Sequence, residues 1–215
     1  MPDHRRPYRR ETEERRREDL IAAALDLVAE GGLHAATVRA IADRAGVTPG
    51  LIRHYFTSKE ELTRVAYRRL MQRMTSDSAA VLLDAPDDPV ARLASFVAAS
   101  VSAPVADPVA LGLWAAFLHD VRRDASMRAV HTAMYLDFRD MLQGLIAALP
   151  RVASDAQLRT EAIACNGVID GLWMEGSILA EAFAVGEIVA IALSATGSIL
   201  NVDLTSAYKP DRNIP

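Results

Sequence analysis

One cysteine in 215 residues, Cys165, rules out an intrachain disulfide, so the fold has to be held by its core. Cys165 reads as a small buried residue of a reducing compartment, with a redox thiol as the alternative. Long hydrophobic runs are also missing. Residues 188–202 are apolar, but they are short and interrupted by Ser194, Thr196, Gly197 and Ser198, which excludes a membrane span there. The N-terminal stretch MPDHRRPYRRETEERRRED is charged throughout and has no apolar segment, so no secretory signal is expected and the expected location is cytoplasmic. Catalytic signatures are absent as well: no HExxH, no GxGxxG, no GxxxxGK, and no ExxH pair of the di-iron type. His119, Asp120 and His131 can be drawn as a metal site, but scattered polar residues on helix surfaces are more often solvated, so no metal, no cofactor and no enzymatic activity are expected. Finally, no alternating strand pattern and no internal repeat occur, which leaves an all-α chain.

What is present is concentrated in residues 33–59, LHAATVRAIADRAGVTPGLIRHYFTSK. Thr37 is placed to cap a short helix carrying Val38, Ile41, Ala42 and Ala45 at helical spacing. Gly46 supplies the left-handed turn, and Ala42 is small enough for a second helix to cross closely. Thr48 caps that second helix and Pro49 takes its first position. Leu51, Ile52, Tyr55 and Phe56 face inward, leaving Thr48, Gly50, Arg53 and His54 outward, a polar edge suited to a major groove. The bland alternative is an ordinary helical hairpin.

These residues resemble the TetR family of one-component transcriptional regulators. The resemblance is carried by Gly31-Gly32, by Thr37 to Ala42, by Ala45-Gly46-Val47, by Gly50, by His54-Tyr55-Phe56 and by Ser58-Lys59-Glu60-Glu61-Leu62. The string from Thr48 to Phe56, with Ile169-Asp170-Gly171-Leu172-Trp173 downstream, is most similar to the BetI-like branch, whose namesake represses choline-to-betaine genes. The resemblance implies a three-helix helix-turn-helix DNA-binding domain, a C-terminal helical ligand-binding and dimerisation domain, and repression relieved by a small molecule. Many relatives carry Tyr where this chain has Arg53, so base preference is not carried over.

Charge is divided along the chain. Residues 1–75 hold 15 Arg and Lys against 11 Asp and Glu, and residues 76–215 hold 9 against 17, so only the first part suits phosphate. Arg5, Arg6, Arg9 and Arg10 are expected to precede the first helix as an arm, either reaching DNA or simply solvated. That helix is predicted over about 13–30, with Leu20, Ile21, Ala24, Leu25 and Val28 inward and Gly31-Gly32 ending it. Ser58 and Glu61 form a capping box for the next long helix. Thr37, Ser58 and Lys59 are backbone-contact candidates, with capping alone as the alternative reading. The full DNA-binding set adds Arg39, Thr48, Pro49, Gly50, Leu51, Arg53, His54 and Tyr55 to these and to the four arginines. The domains are expected at 1–57, the arm and helix-turn-helix, and 58–215, the effector and dimer domain.

Asp88-Pro89, Asp107-Pro108 and Ser154 with Gln157 mark further helix starts, giving helices at about 88–103, 107–121, 124–149, 155–183 and 187–201, with a loop at 83–88 and a loose tail after Asp203. The last two are apolar on more than one face and rich in small residues: Gly167, Gly171, Gly176, Ala180, Ala190, Ala192, Ala195 and Gly197. They are read as half of an intermolecular four-helix bundle in a homodimer, and two related recognition helices then match a palindromic operator in double-stranded DNA. Trp114 with Phe117, Tyr135 with Phe138, and Asn166, Asp170, Trp173 and Ser177 share helix faces and are the effector-binding candidates. Three readings stay open for them: an aromatic and carboxylate cage for a cation, a largely apolar pocket, or plain core with Asp170 paired to an arginine such as Arg139. An architectural DNA-binding protein without an effector is the competing function.

Overall fold

The computed structural model describes the backbone of residues 5–209 and the side chains of residues 13–209. Among the described residues the elements are α1 (Arg5–Gly31), α2 (Val38–Arg44), α3 (Pro49–Tyr55), α4 (Lys59–Ala80), α5 (Pro89–Ser100), α6 (Pro108–Arg123), α7 (Ala125–Ala147), α8 (Asp155–Ile178), a single 3-10 turn (Ala180–Ala182), α9 (Glu187–Leu200) and α10 (Leu204–Ala207), with no strand. The all-α expectation holds. The chain forms two compact units, one of residues up to 71 with 112–131, the other of residues 72–111 with 132 onward.

In the first unit α1 buries Leu20, Ile21, Ala23, Ala24 and Val28, and α2 buries Ile41 and Ala42. Phe117 of α6 is fully buried with its ring 4.8 Å from that of Tyr67 on α4, and the Tyr67 hydroxyl meets His131 Nδ1 of α7 at 2.7 Å. Burial pushes the Tyr67 phenol well above its ordinary value. The second unit has a continuous core: Leu93, Phe96 and Val97 of α5, Leu142 and Ile146 of α7, Ala162, Cys165 and Ile169 of α8, and Ala192, Leu193 and Leu200 of α9. Cys165 sits fully inside it, and burial raises its thiol to about 12, which keeps it protonated and inert.

Local caps follow the sequence closely. Thr37 Oγ1 accepts from Ala40 N at 3.1 Å, Asp88 from Ala91 N at 2.8 Å, Asp107 from Val109 and Ala110 N at 3.2 Å, and Ser154 Oγ from Gln157 N at 3.3 Å. The Gln157 side chain does not complete the box at Ser154, because Glu161 draws its amide at 2.9 Å.

Three expectations are corrected. The first helix starts at Arg5 rather than near 13, so Arg5, Arg6, Arg9 and Arg10 lie in α1 and not ahead of it. Arginine and glutamate are good helix formers, and Pro7 falls in the first turn, where its missing amide has no intrahelical partner to lose. Their side chains lie outside the described residues. α8 stops at Ile178 rather than 183, because the chain has to reverse so that Ile188 of α9 packs against Gly176; Gly186, at φ +78°, completes the reversal. The tail after Asp203 is held as far as it is described: Asp203 caps α10 through Ser206 N at 3.0 Å, and Leu204 is buried in the core.

Candidate nucleic-acid interface and effector site

The helix-turn-helix is built from backbone hydrogen bonds that leave one edge free. α2 ends with Val47 N donating to Ala42 O at 2.9 Å across Gly46, whose φ of +65° only glycine adopts at little cost. Ala42 is fully buried where α2 and α3 pack, as a close crossing demands. Thr48 stands at the N-cap of α3 with extended backbone, but its hydroxyl makes no cap bond, which corrects the sequence reading. With Pro49 at the first position one amide is already gone, and Leu51 N is taken by the Thr48 carbonyl at 2.9 Å. The Thr48 hydroxyl is thereby left to solvent.

Ile52 and Phe56 are buried, Leu51 and Tyr55 half-buried, and Thr48, Pro49, Gly50, Arg53 and His54 exposed. α3 therefore has the two faces predicted for it, with the His54 and Tyr55 rings edge to face at 5.2 Å. Thr37 and Arg39 are also exposed, Arg39 lying 3.9 Å from Asp43, while Ser58 and Lys59 are half-buried at the start of α4. Ser58 Oγ accepts from Glu61 N at 3.1 Å; the Glu61 carboxylate turns to the amide and hydroxyl of Thr57, whose bonds hold it below the ordinary carboxylate range.

Residues absent from the sequence-based set hold this module in shape. Arg44 of α2 forks onto Glu30 of α1 at 2.9 and 2.6 Å, and its bonds lower the Glu30 pKa. The Arg17 guanidinium lies 5.1 Å over the Phe56 ring, and Arg69 pairs with Glu18. None has a local signature, since Arg44 and Glu30 are 14 residues apart.

The effector candidates divide between the two units. Trp114, half-buried, and Phe117 belong to the first; Tyr135, Phe138, Asn166, Asp170, Trp173 and Ser177 belong to the second. The Phe138 ring lies tilted against Phe96 of the core, their centroids 5.3 Å apart. Tyr135 OH donates to Asp170 Oδ2 at 2.5 Å, and Asn166 Nδ2 donates both to Tyr135 OH at 2.6 Å and to Asp170 Oδ2 at 2.8 Å. Burial, and then the bond to Asp170, push the Tyr135 phenol up to about 12. Trp173 is 7% exposed and its indole Nε1 donates to the Val105 carbonyl at 2.8 Å. Ser177 Oγ and Asn166 Oδ1 are buried without a hydrogen-bond partner. Separately, α4 and α7 border a mostly apolar groove of about 460 Å³ lined by Thr75, Ala79, Leu83, Met134 and Met141. Among the described residues no three His, Cys, Asp or Glu are grouped to hold a metal ion, and no helix is long and apolar enough to cross a membrane.

α8 and α9 pack on each other and also show apolar and small side chains to solvent. Ile163, Gly167, Met174 and Ile178 line one stripe of α8, with Ala190 and Ile191 exposed on α9. Gly176 is used inside the chain, against Ile188; a side chain at Gly167 or Gly171 meets nothing within 4 Å.

Comparison with known proteins gives the following. Residues 20–66 match the family described as bacterial regulatory proteins, tetR family, and residues 89–201 match that described as BetI-type transcriptional repressor, C-terminal. The HTH-type transcriptional regulator BetI of Serratia proteamaculans is 31% identical over 178 residues, covering 82% of this chain and 88% of the relative. BetI of Rhizobium meliloti is 30% identical over 198 residues, covering 92% and 95%. Among solved structures, a transcriptional regulator from Pseudomonas aeruginosa PAO1 superposes with a TM-score of 0.76 at 28% identity, covering 90% of this chain and 94% of that one. FadR of Bacillus subtilis, solved with stearoyl-CoA, has a TM-score of 0.64 at 18% identity, covering 85% and 97%, and shares the fold.

Proposed function

This chain belongs to the TetR family of transcriptional regulators, with a BetI-type C-terminal domain, and from that premise we propose that it is a homodimeric repressor which a small molecule releases from a palindromic operator. The observation that carries the DNA reading is α3, whose inward face is locked by Ile52 while Thr48, Gly50, Arg53 and His54 stand exposed along its outer edge. In this reading Arg53 contacts a base edge. Arg39, Lys59 and Arg5, Arg6, Arg9 and Arg10 neutralise phosphates, Thr37 and Ser58 approach the backbone, and Pro49, Leu51 and Tyr55 set the docking surface. In this reading residues 1–57 form the DNA-binding domain and 58–215 the effector and dimerisation domain, whose first residues Ser58 and Lys59 add contacts to the DNA backbone.

The exposed stripe of α8, with Gly167 and Gly171 open beside it, supports pairing with α8 and α9 of a second copy, since an apolar face of this kind needs covering. The Tyr135, Asn166 and Asp170 cluster supports a polar effector in the second unit, with Phe138, Trp173 and Ser177 of the same unit as its further candidates. The α4 and α7 groove supports a second reading, an apolar effector. An effector acts by binding the two states of the dimer unequally.

The test is fluorescence anisotropy with DNA taken from upstream of the gene itself. Saturable binding by one dimer, tighter than on random sequence and falling linearly in log K against log salt, is expected. Equal affinity for operator and random DNA refutes the sequence-specific reading. Operator binding that no small molecule relieves favours the architectural alternative.

A further inference from the structure

Residues 76–215 carry 9 Arg and Lys against 17 Asp and Glu, and on that balance only the first part of the chain suits phosphate. The fold redistributes those charges. Three of the nine, Arg122, Arg123 and Arg128, sit at the turn from α6 to α7, and residues 112–131 belong to the compact unit that holds the helix-turn-helix. Asp120, Asp124 and Met127 at this turn share a cleft of about 130 Å³ with Leu33, Lys59 and Arg64. The turn therefore stands beside the start of α4, where Lys59 is the phosphate candidate.

All three arginines are exposed, and Arg122 and Arg123 lie in the last turn of α6. Arginine at that position is usually explained by the helix dipole and the orphan carbonyls. Here two of those carbonyls are served without Arg122 or Arg123: the Arg122 carbonyl accepts from Arg128 Nη2 at 3.0 Å, and the Asp120 carbonyl from Asp124 N at 2.8 Å. The adjoining acid, Asp124, turns its carboxylate to Met127 N at 2.8 Å and caps α7. Among the described residues neither the Arg122 nor the Arg123 guanidinium has an ion pair or a hydrogen bond. Two unpaired guanidiniums, each with five N–H donors, are thus held out to solvent on the DNA-binding unit.

Resting on the DNA-binding reading above, we infer that Arg122 and Arg123, with Arg128 beside them, bind backbone phosphates flanking the groove entered by α3, which widens the footprint beyond the helix-turn-helix. Guanidinium suits this role, since its planar fork matches two phosphate oxygens and its charge is permanent. Such contacts position the protein and carry no base information, so they strengthen binding to every sequence alike. Each phosphate neutralised also releases counterion, which makes the contribution visible in the salt dependence.

The test measures log K against log salt by fluorescence anisotropy for the full-length protein, on DNA from upstream of the gene and on random duplex of equal length. Arg122→Gln with Arg123→Gln removes two charges from each protomer, so the slope of a dimer is expected to fall by about 3 to 4, with affinity at least about tenfold lower on both DNAs. Arg122→Lys with Arg123→Lys keeps the charges and is expected to restore most of the slope. Circular dichroism checks folding; should the Gln pair not fold, single Arg122→Gln and Arg123→Gln variants are each expected to take about 2 from the slope. An unchanged slope, with Lys59→Ala still flattening it, overturns the inference and leaves the DNA-binding reading intact. A loss confined to the upstream DNA overturns it too, since that marks a base contact. Absence of wild-type binding to either DNA refutes the underlying reading, and the inference with it.

Discussion

Trp173 is where a stability role and an effector role meet, and they can be separated. Its indole is 7% exposed and donates to the Val105 carbonyl at 2.8 Å, tying α8 to the segment between α5 and α6. Trp173→Phe keeps an aromatic ring but removes the donor, leaving the buried Val105 carbonyl without it at a cost of about 1 to 3 kcal/mol. Trp173→Ala also removes the packing, at about 3 to 5 kcal/mol. At roughly 2 to 4 °C per kcal/mol for a chain of this size, the midpoint falls by about 2 to 12 °C for Phe and about 6 to 20 °C for Ala. Thermal unfolding followed by circular dichroism measures both, at one fixed protein concentration because dimerisation shifts the midpoint. Operator affinity and effector response of the Phe variant, taken well below its midpoint, then report function. Near-normal operator binding with a blunted response places Trp173 at the effector; an unchanged response makes it purely structural. A Trp173→Ala variant less than about 1 kcal/mol weaker than wild type refutes the structural reasoning altogether.

Arg53→Ala is expected to cost about 1 to 3 kcal/mol on the operator and to relax preference at one symmetric pair of positions, whereas Lys59→Ala weakens all sequences alike and flattens the salt dependence; anisotropy on operator and random DNA at several salt concentrations separates them. Gly197→Ala places a Cβ 2.5 Å from the Val202 carbonyl oxygen, a backbone atom that has to move, so a loss of about 1 to 3 kcal/mol or more is expected in denaturant titration. Glu161, buried and bonded by Arg151 at 2.8 Å and by Gln157, is held below its ordinary 4.5 chiefly by the Arg151 bond. Its contribution to stability is therefore fully present above pH 4.5 and is lost as pH falls through the lowered folded value. Glu161→Gln is expected to remove that part of the acid sensitivity while costing about 3 kcal/mol at neutral pH, measurable as unfolding midpoints from pH 7 down to 3.

Features set within three or four residues were legible in the chain itself. The caps at Thr37, Ser58, Asp88, Asp107 and Ser154 are bonds from a side chain to an amide two or three positions on, and Gly46 supplies a conformation most other residues resist, so these helix starts and the turn between α2 and α3 follow from residue type and spacing. The apolar period of α1 and α3 likewise fixed which side of each helix is buried. Spacing also put Asn166 and Asp170 on one face of α8. What spacing leaves undetermined is which distant side chain meets them: Tyr135 lies 35 residues from Asp170, Val105 lies 68 from Trp173, and Glu30 lies 14 from Arg44. The end of α8 at Ile178 and the burial of Leu204 were decided the same way, by where α9 returns and what it covers. A cap lowers the free energy of its own turn in almost any context, whereas a long-range bond exists only after the core has brought the two helices together; the first is a property of sequence, the second of the packed fold.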